Sequence, residues 1–266
     1  MEISVIIAYY DNVPNLEILL AAFKEQSFKD FEIIIAEDNN DPKTISFLAS
    51  QKEGCFFPIH HVKQEEKIGF RKCCMLNKAV QIATGEILVF MDADCIPHKE
   101  FLNEYHKNSK NGIFLFGRRV LLGKRITGTI YKVKSLRTLR FPSLMLSDSK
   151  LLKEGIYWPW FDLHYKERKL SGCNWGIKKE DLLSVNGFDE DYVRPGVGED
   201  HDIEWRLKSK GFKMESIKNK AIVYHLFHPK NSTKDDARFN DSLMEQKKEA
   251  GHAACLNGIE KLKPGT

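Results

Sequence analysis

Apolar and polar positions fall in blocks along the N-terminal part of the chain. Ile3 to Tyr10 is one apolar run, Phe31 to Ala36 a second, and Ile87-Leu88-Val89-Phe90-Met91 a third. Runs this long, rich in branched and aromatic side chains, predict strands covered on both faces. Pro58 to Val62 predicts one more strand. Between them the apolar residues recur at helical spacing. Leu16, Leu19, Leu20 and Phe23 predict a helix capped by Asn15. Thr44 to Ser50 predicts a short helix, and Cys73 to Ala83 a third that stops at Thr84-Gly85.

Strand and helix in strict alternation predict an α/β fold with a mostly parallel central sheet and helices on both faces. In such a sheet the loops after the strands share one edge, where ligands bind. Here they carry Tyr10-Asp11, Glu37-Asp38 and Asp92-Ala93-Asp94. Residues i and i+2 of a strand point to the same side, ~6.6 Å apart at ~3.3 Å per residue. Asp92 and Asp94 in that arrangement repel each other and lose solvation. Two readings stand: a bound divalent cation compensates them, or they cap a following helix that holds Pro97 in its first turn.

The second half has a different character. Phe101 to Asn108 predicts a helix, and Gly112 to Leu122 a single strand. An aromatic stretch, Tyr157-Trp158-Pro159-Trp160-Phe161, precedes a short apolar segment, Asn174 to Ile177. Helices are predicted at Lys179 to Val185 and at Glu199 to Lys210, the latter stopped by Gly211. Lys220 to Tyr224 is the last strand pattern, followed by His225-Leu226-Phe227-His228-Pro229. From Asn231 the chain is polar and predicts a surface helix with a frayed tail.

Length and charge narrow the picture further. The 266 residues suffice for one large domain or two small ones, and a net charge of +4 names no partner. Its distribution does more: Arg118 to Arg140 holds eight Lys or Arg and no acid. That stretch is read either as a solvated face or as a contact for an anionic membrane or a diphospholipid. The six cysteines include no CxxC pair, which fits neither a zinc framework nor a disulfide scaffold and suits a reducing cytosol. No segment approaches ~18 uncharged apolar residues, so a cytoplasmic or peripheral protein is expected. No GxGxxG follows the first strand and no GxxxxGK[ST] occurs, which argues against dinucleotide and P-loop sites. Pro229 excludes a helical HExxH zinc site, and no nucleic-acid motif accompanies the basic stretch.

Taken in order, these segments resemble an inverting glycosyltransferase of the GT-A fold, family 2. The resemblance rests on Val5-Ile6-Ile7-Ala8-Tyr9-Tyr10-Asp11-Asn12, Glu37-Asp38-Asn39-Asn40 and the helix from Arg71-Lys72 through Asn77-Lys78-Ala79. It continues through the DxD triplet Asp92-Ala93-Asp94 and Gly198-Glu199-Asp200 with Arg206-Leu207. Asn174-Trp175-Gly176 to Asp200 also looks like the carboxy-terminal part of galactosyl- and N-acetylgalactosaminyltransferases. The resemblance implies a GT-A domain over residues 1–230. Within it, 1–100 would bind the nucleotide sugar and 101–230 the acceptor, with a polar helix and tail at 231–266.

The resemblance also implies roles. Asp94 would hold Mn2+ or Mg2+, with Asp92 near the metal and the ribose, and His225 or His228 would complete the metal shell. Glu37 and Asp38 would read uracil, framed by the backbone at Ala8 and Tyr10, and Ala93 lies between the two metal-site acids. Arg71 or Lys72 would meet the diphosphate, since a cation there matches phosphate oxygens. Asp200 would take the proton of the acceptor hydroxyl, with Glu199 orienting the acceptor or the loop. Asn174 and Trp175 would line the acceptor pocket, as would Trp158, Trp160 and Phe161, unless these aromatics are core. The implied reaction moves a hexose or N-acetylhexosamine from a UDP-sugar to a saccharide or lipid-linked acceptor, in bacterial surface polysaccharide synthesis. The rival readings are a catalytically inactive sugar- or nucleotide-binding module and a nucleotidyltransferase. The latter needs a Gly-rich basic loop that Tyr9-Tyr10-Asp11-Asn12 does not supply.

Overall fold

The computed structural model describes residues 1–160, 169–196, 198–229 and 232–263. In chain order its elements are β1 (Ile3–Tyr9), α1 (Val13–Lys24), β2 (Phe31–Glu37), α2 (Pro42–Gln51), β3 (Ile59–Lys63) and α3 (Lys72–Ile82). There follow β4 (Ile87–Asp92), β5 (Cys95–Pro97), α4 (Phe101–Asn108), β6 (Ile113–Phe116), β7 (Arg118–Leu121), α5 (Lys124–Val133) and α6 (Phe141–Met145). The last are β8 (Trp175–Lys178), α7 (Lys179–Ser184), α8 (Glu199–Ser209), β9 (Lys213–Ser216), β10 (Ile222–His225) and α9 (Lys234–Ala250).

Seven strands form the central sheet in the order β3-β2-β1-β4-β8-β6-β9, and β5-β10-β7 form a small second sheet. β1 is parallel to β2 and to β4, and in register Tyr9 pairs Glu37 while Ala8 pairs Asp92. The three strands therefore end level, which sets their loops along one edge. β8 runs antiparallel to both β4 and β6, so the sheet is mixed but mainly parallel, as expected.

Alternation along β1 covers both faces. Ile3, Val5 and Ile7 pack with Leu16, Leu19 and Phe23 of α1 and with Phe101 and Tyr105 of α4. Ile6 packs on the other side with Met75, Ala79 and Val80 of α3 and with Ile203 and Leu207 of α8. All five apolar residues of β4 ahead of Asp92 are buried. Each contributes about 1.5–3 kcal/mol over an exposed side chain. That anchorage holds a carboxylate at the strand end.

The structure corrects several expectations. Helix α1 is capped by Asn12, not Asn15; Asn12 sits in the left-handed region at φ 88 and accepts from the Asn15 N–H. The segment Gly112 to Leu122 is not one strand. It breaks at Gly117, where β6 leaves the central sheet and β7 enters the small one. A Cβ at Gly117 would lie 2.3 Å from Asn174 Nδ2 and 2.4 Å from the Ala221 carbonyl, so only glycine passes there. After Asp94 comes strand β5 and not a helix, so the helix-capping reading of the two acids fails. β9, with exposed and half-buried residues in alternation, carries too weak an apolar signal to be read from sequence. The tail is not frayed through 263. Asn186 donates to the carbonyls of Cys255 (2.7 Å) and Glu260 (2.9 Å) and accepts from the Glu260 N–H, which fastens it to the body.

Candidate active site

A crevice of ≈ 540 Å³ opens at the shared strand edge, between the ends of β1, β2 and β4 and the chain leaving β10. Ala8, Tyr10, Asp38, Lys72, Asp92, Ala93, Asp94 and His228 all line it. Backbone bonds knit the edge together: Asp38 N–H to Tyr9 O (2.7 Å), Ala93 N–H to Ala8 O (3.1 Å) and Leu226 N–H to Asp94 O (2.9 Å). Residues far apart in sequence thus share one fixed frame.

β4 ends at Asp92, and the tight turn into β5 sends Asp94 elsewhere. Both acids line the crevice, but each has its own partners. Asp94 Oδ2 lies 2.9 Å from His228 Nε2 and 3.5 Å from His225 Nε2. His228 Nδ1 is 2.7 Å from the Pro229 carbonyl, which places the proton on Nδ1 and aims Nε2 at Asp94. Burial pushes the Asp94 carboxyl up, but the His228 hydrogen bond and the two imidazoles outweigh it and hold it low. The same bond lifts His228 to about 8, whereas burial pulls His225 down. Cys95 is fully buried, and its thiol, pushed well up by burial, donates to Asp94 Oδ1 at 3.3 Å. Among the described residues, Asp94, Cys95 and His225 bring donor atoms within 4.8 Å of one another. A carboxylate with flanking imidazoles fits a divalent metal ion; a neutral buried thiol supports the carboxylate.

Asp92 is met by a cation from α3. Lys72, at the start of α3, places Nζ 3.5 Å from Asp92 Oδ1 and 3.1 Å from Glu199 Oε1. Burial lowers the Lys72 ammonium, but Asp92, Glu199 and Asp200 together hold it well above the usual lysine range. Glu199 and Asp200 open α8, whose first turn favours acids through the helix dipole. Asp200 Oδ2 accepts from the Gly172 N–H at 2.7 Å. Burial, then the Glu199 charge, pushes Asp200 up to about 8, against the pull of Lys72. The helix itself is anchored by Arg206, buried and paired with Asp202 at 2.8 Å. Arg206 also donates to the carbonyls of Val185 (2.7 Å) and Gly187 (2.9 Å).

At the third side Asp38 is buried. It accepts from Gln64 Nε2 (2.5 Å) and from the Arg71 N–H (2.8 Å), while burial raises its carboxyl. Tyr10 is half exposed, with Lys67 Nζ 5.1 Å from its ring centroid. Glu37 does not join the crevice. It is fully buried, 2.6 Å from His61 Nε2, and accepts from the Asp41 N–H at 3.0 Å. The Arg71 side chain lines a neighbouring cavity with Lys78 and Glu190, so Lys72 is the cation in the crevice.

The acceptor expectations fail for Asn174 and Trp175, which are both 1% exposed. Trp175 stacks on Phe90 at 4.5 Å and meets Phe188 edge-on, because β8 pairs with β4 and turns that face into the core. Asn174 receives Tyr105 OH at 2.6 Å and donates to the carbonyls of Arg118 and Ala221 at the Gly117 crossing. Trp158 and Trp160 are exposed and pack edge to face at 5.4 Å, away from the crevice lining. Phe161 lies outside the described residues. Sequence reasoning missed Gln64, which braces Asp38, and Tyr131 of α5, which lines the crevice and hydrogen-bonds Asn15. Neither had a motif to mark it.

Comparison with known proteins supplies a context for this geometry. Residues 4–119 match the model of glycosyl transferase family 2, and residues 156–229 that described as the N-terminal domain of galactosyltransferase. The chain is 26% identical to the uncharacterized glycosyltransferase YfnE of Bacillus subtilis, over 92% of this chain and 70% of that protein. It is 27% identical to the amylovoran biosynthesis glycosyltransferase AmsB of Erwinia amylovora, over 84% of this chain and 69% of that one. Among solved structures, it resembles the mannosyltransferase PcManGT of Pyrobaculum calidifontis in complex with GDP-Man and Mn2+. The TM-score is 0.57 at 20% identity, covering 94% of this chain and 61% of that one. TarS of S. aureus in complex with UDP-GlcNAc gives a TM-score of 0.60 at 16% identity, covering 98% of this chain and 68% of that one. These neighbours establish the GT-A fold. No helix among the described residues is long and apolar enough to cross a membrane.

Proposed function

We propose, from the matches of residues 4–119 to glycosyl transferase family 2 and of residues 156–229 to the N-terminal domain of galactosyltransferase, a metal-dependent, inverting sugar transfer from a UDP-sugar. The sugar is a hexose or N-acetylhexosamine, and the acceptor is a saccharide or lipid-linked saccharide of a bacterial surface polysaccharide. The named role of AmsB supports that setting, and UDP-GlcNAc in TarS supports the donor. Work on a lipid-linked acceptor puts the chain at the inner face of the cell membrane. The observation that carries the reading is an Asp94–histidine cluster at the crevice, linked through Asp92 and Lys72 to a half-buried Asp200 whose carboxyl is pushed up to about 8.

Asp94, His225 and His228 would hold the ion, with Asp92 beside it. Imidazole ligands favour Mn2+ over Mg2+, which prefers oxygen. When bound, the ion supplies Lewis-acid neutralisation of the diphosphate as its charge grows. The chain's own groups do the rest. Tyr10 covers one side of the base and Asp38 accepts from the uracil imide N–H. Gly172 holds Asp200 Oδ2, which leaves Oδ1 to take the proton of the acceptor hydroxyl. As that proton leaves, the hydroxyl oxygen bonds to the anomeric carbon from the side opposite the diphosphate, and the bond to the diphosphate oxygen breaks. A base near the working pH is suited to this transfer. Lys72 keeps the acids beside it tolerable as neighbours.

UDP release from a panel of UDP-sugars, with Mn2+ and with chelator, tests this. Release with Mn2+ that chelator abolishes is expected. Release that survives chelation removes the metal from the reaction, and Mn2+-dependent UDP binding with no release from any UDP-sugar reduces the chain to a binding module.

A further inference from the structure

One face of the molecule takes no part in the crevice. Lys124, Arg125, Lys132 and Lys134 are exposed on α5 and its cap, and Arg137 and Arg140 are exposed on the following turn. Lys134 pairs with Glu17 at 2.7 Å, whereas Lys132, Arg137 and Arg140 have no ion-pair partner among the described residues. Part of the basic stretch seen in the sequence thus stands without an ion pair among the described residues. Large apolar side chains stand in the same region. Val133, the last residue of α5, is 59% exposed, and Met145 and Leu146 at the end of α6 are 61% and 88% exposed. α6 packs against the turn that carries Arg137. Lys99, Arg137 and Arg140 also line a groove of ≈ 760 Å³ whose apolar lining includes Ala22, Leu139 and Tyr224.

Exposed apolar residues beside unpaired cations are the composition of a surface that meets anionic lipid: the cations are drawn to the headgroups, and the apolar tips gain by leaving water. We propose that α5, the turn after it and α6 dock the chain on an anionic bilayer, with Arg137 and Arg140 at the headgroups and Met145 and Leu146 inserted. The groove and the crevice lie on either side of the same elements. Tyr131 of α5 lines the crevice, and Tyr224, which lines the groove, is followed by His225 at the metal cluster. Docking by this face holds the crevice next to the membrane, within reach of a saccharide on a membrane-held carrier. That last step rests on the lipid-linked acceptor proposed above; the docking does not.

The test is flotation of the full chain with vesicles of phosphatidylcholine alone and of phosphatidylcholine mixed with phosphatidylglycerol. Binding to the mixed vesicles only, weakened by added salt, is expected. Each Lys or Arg near such a surface is worth about fivefold in partitioning, so Arg137→Gln with Arg140→Gln should lower it about 25-fold. Met145→Ser with Leu146→Ser should lower it at unchanged charge, which separates insertion from charge attraction alone. Each variant should keep the wild-type thermal midpoint and UDP release. Equal binding to both vesicle types, no binding, or variants that bind as wild type overturns the proposal. A concentration-dependent dimer that Leu146→Ser dissolves does so too, by making the patch an interface between copies. Vesicle binding in a protein that releases no UDP leaves the docking standing and defeats only the transferase reading.

Discussion

Asp92 and Asp94 stand two residues apart and are compensated in different ways. Asp94 is met by two imidazoles and a thiol, groups that can give way to a metal ion. Asp92 is met by Lys72, which also spans to Glu199 and acts on Asp200. One flank is thus built for an ion, and the other already contains its cation. The DxD triplet is thus not a symmetric clamp here: the turn after β4 gives the two acids different partners.

The largest effect expected from breaking this division is at Asp200. Asp200→Asn should lower kcat by about 10²–10⁴ while Mn2+-dependent UDP binding stays, as measured by single-turnover transfer and calorimetry. In the wild type the rate should climb with pH through about 8, since the base acts unprotonated. Folding has the opposite sign. A carboxyl raised from 3.8 to about 8 binds its proton more tightly folded than unfolded, so its contribution to stability falls as pH rises across that window. Asp200→Asn should remove that fall, read as a smaller loss of thermal midpoint between acid and alkaline buffers.

Next in size is Lys72→Met, which strips the cation from the second flank and leaves Glu199 buried without its partner. A loss of about 3 kcal/mol in denaturant unfolding is expected. Because Lys72 pulls Asp200 down, the rising limb of the pH–rate profile should also move to higher pH. A variant whose profile stays put would show that Lys72 does not act on Asp200. The smallest functional effect belongs to Trp175→Phe. It should cost about 1–2 kcal/mol of stability from lost core packing and leave the acceptor KM within about twofold. A large rise in that KM would return Trp175 to the acceptor site.

Much of the first flank and of the sheet edge was legible in the chain. β1, β2 and β4 are apolar runs that end in polar loops, and parallel topology levels their ends, so Asp38, Asp92 and Asp94 had to share an edge. Lys72 and Arg71 were indistinguishable in sequence, because which of two adjacent residues at a helix start turns into the crevice depends on where α3 lies. The acceptor half was legible least. An apolar segment such as Trp175-Gly176-Ile177 looks the same whether it lines a pocket or joins a sheet, and only its pairing with β4 decides. Gly117 shows the same limit: the crowding that forces glycine there comes from Asn174 and Ala221, more than fifty residues away.

By itself the sequence determined the local things. Burial of apolar runs demands strands, helical spacing demands helices, and their alternation demands a mainly parallel sheet with acids gathered at one edge. The tertiary structure decided the contacts between distant segments: histidines from β10 and its exit on Asp94, the start of α8 on Lys72, and a face where exposed cations and apolar tips stand together. Those outcomes rest on how packed elements meet in space, which no local pattern of residues encodes.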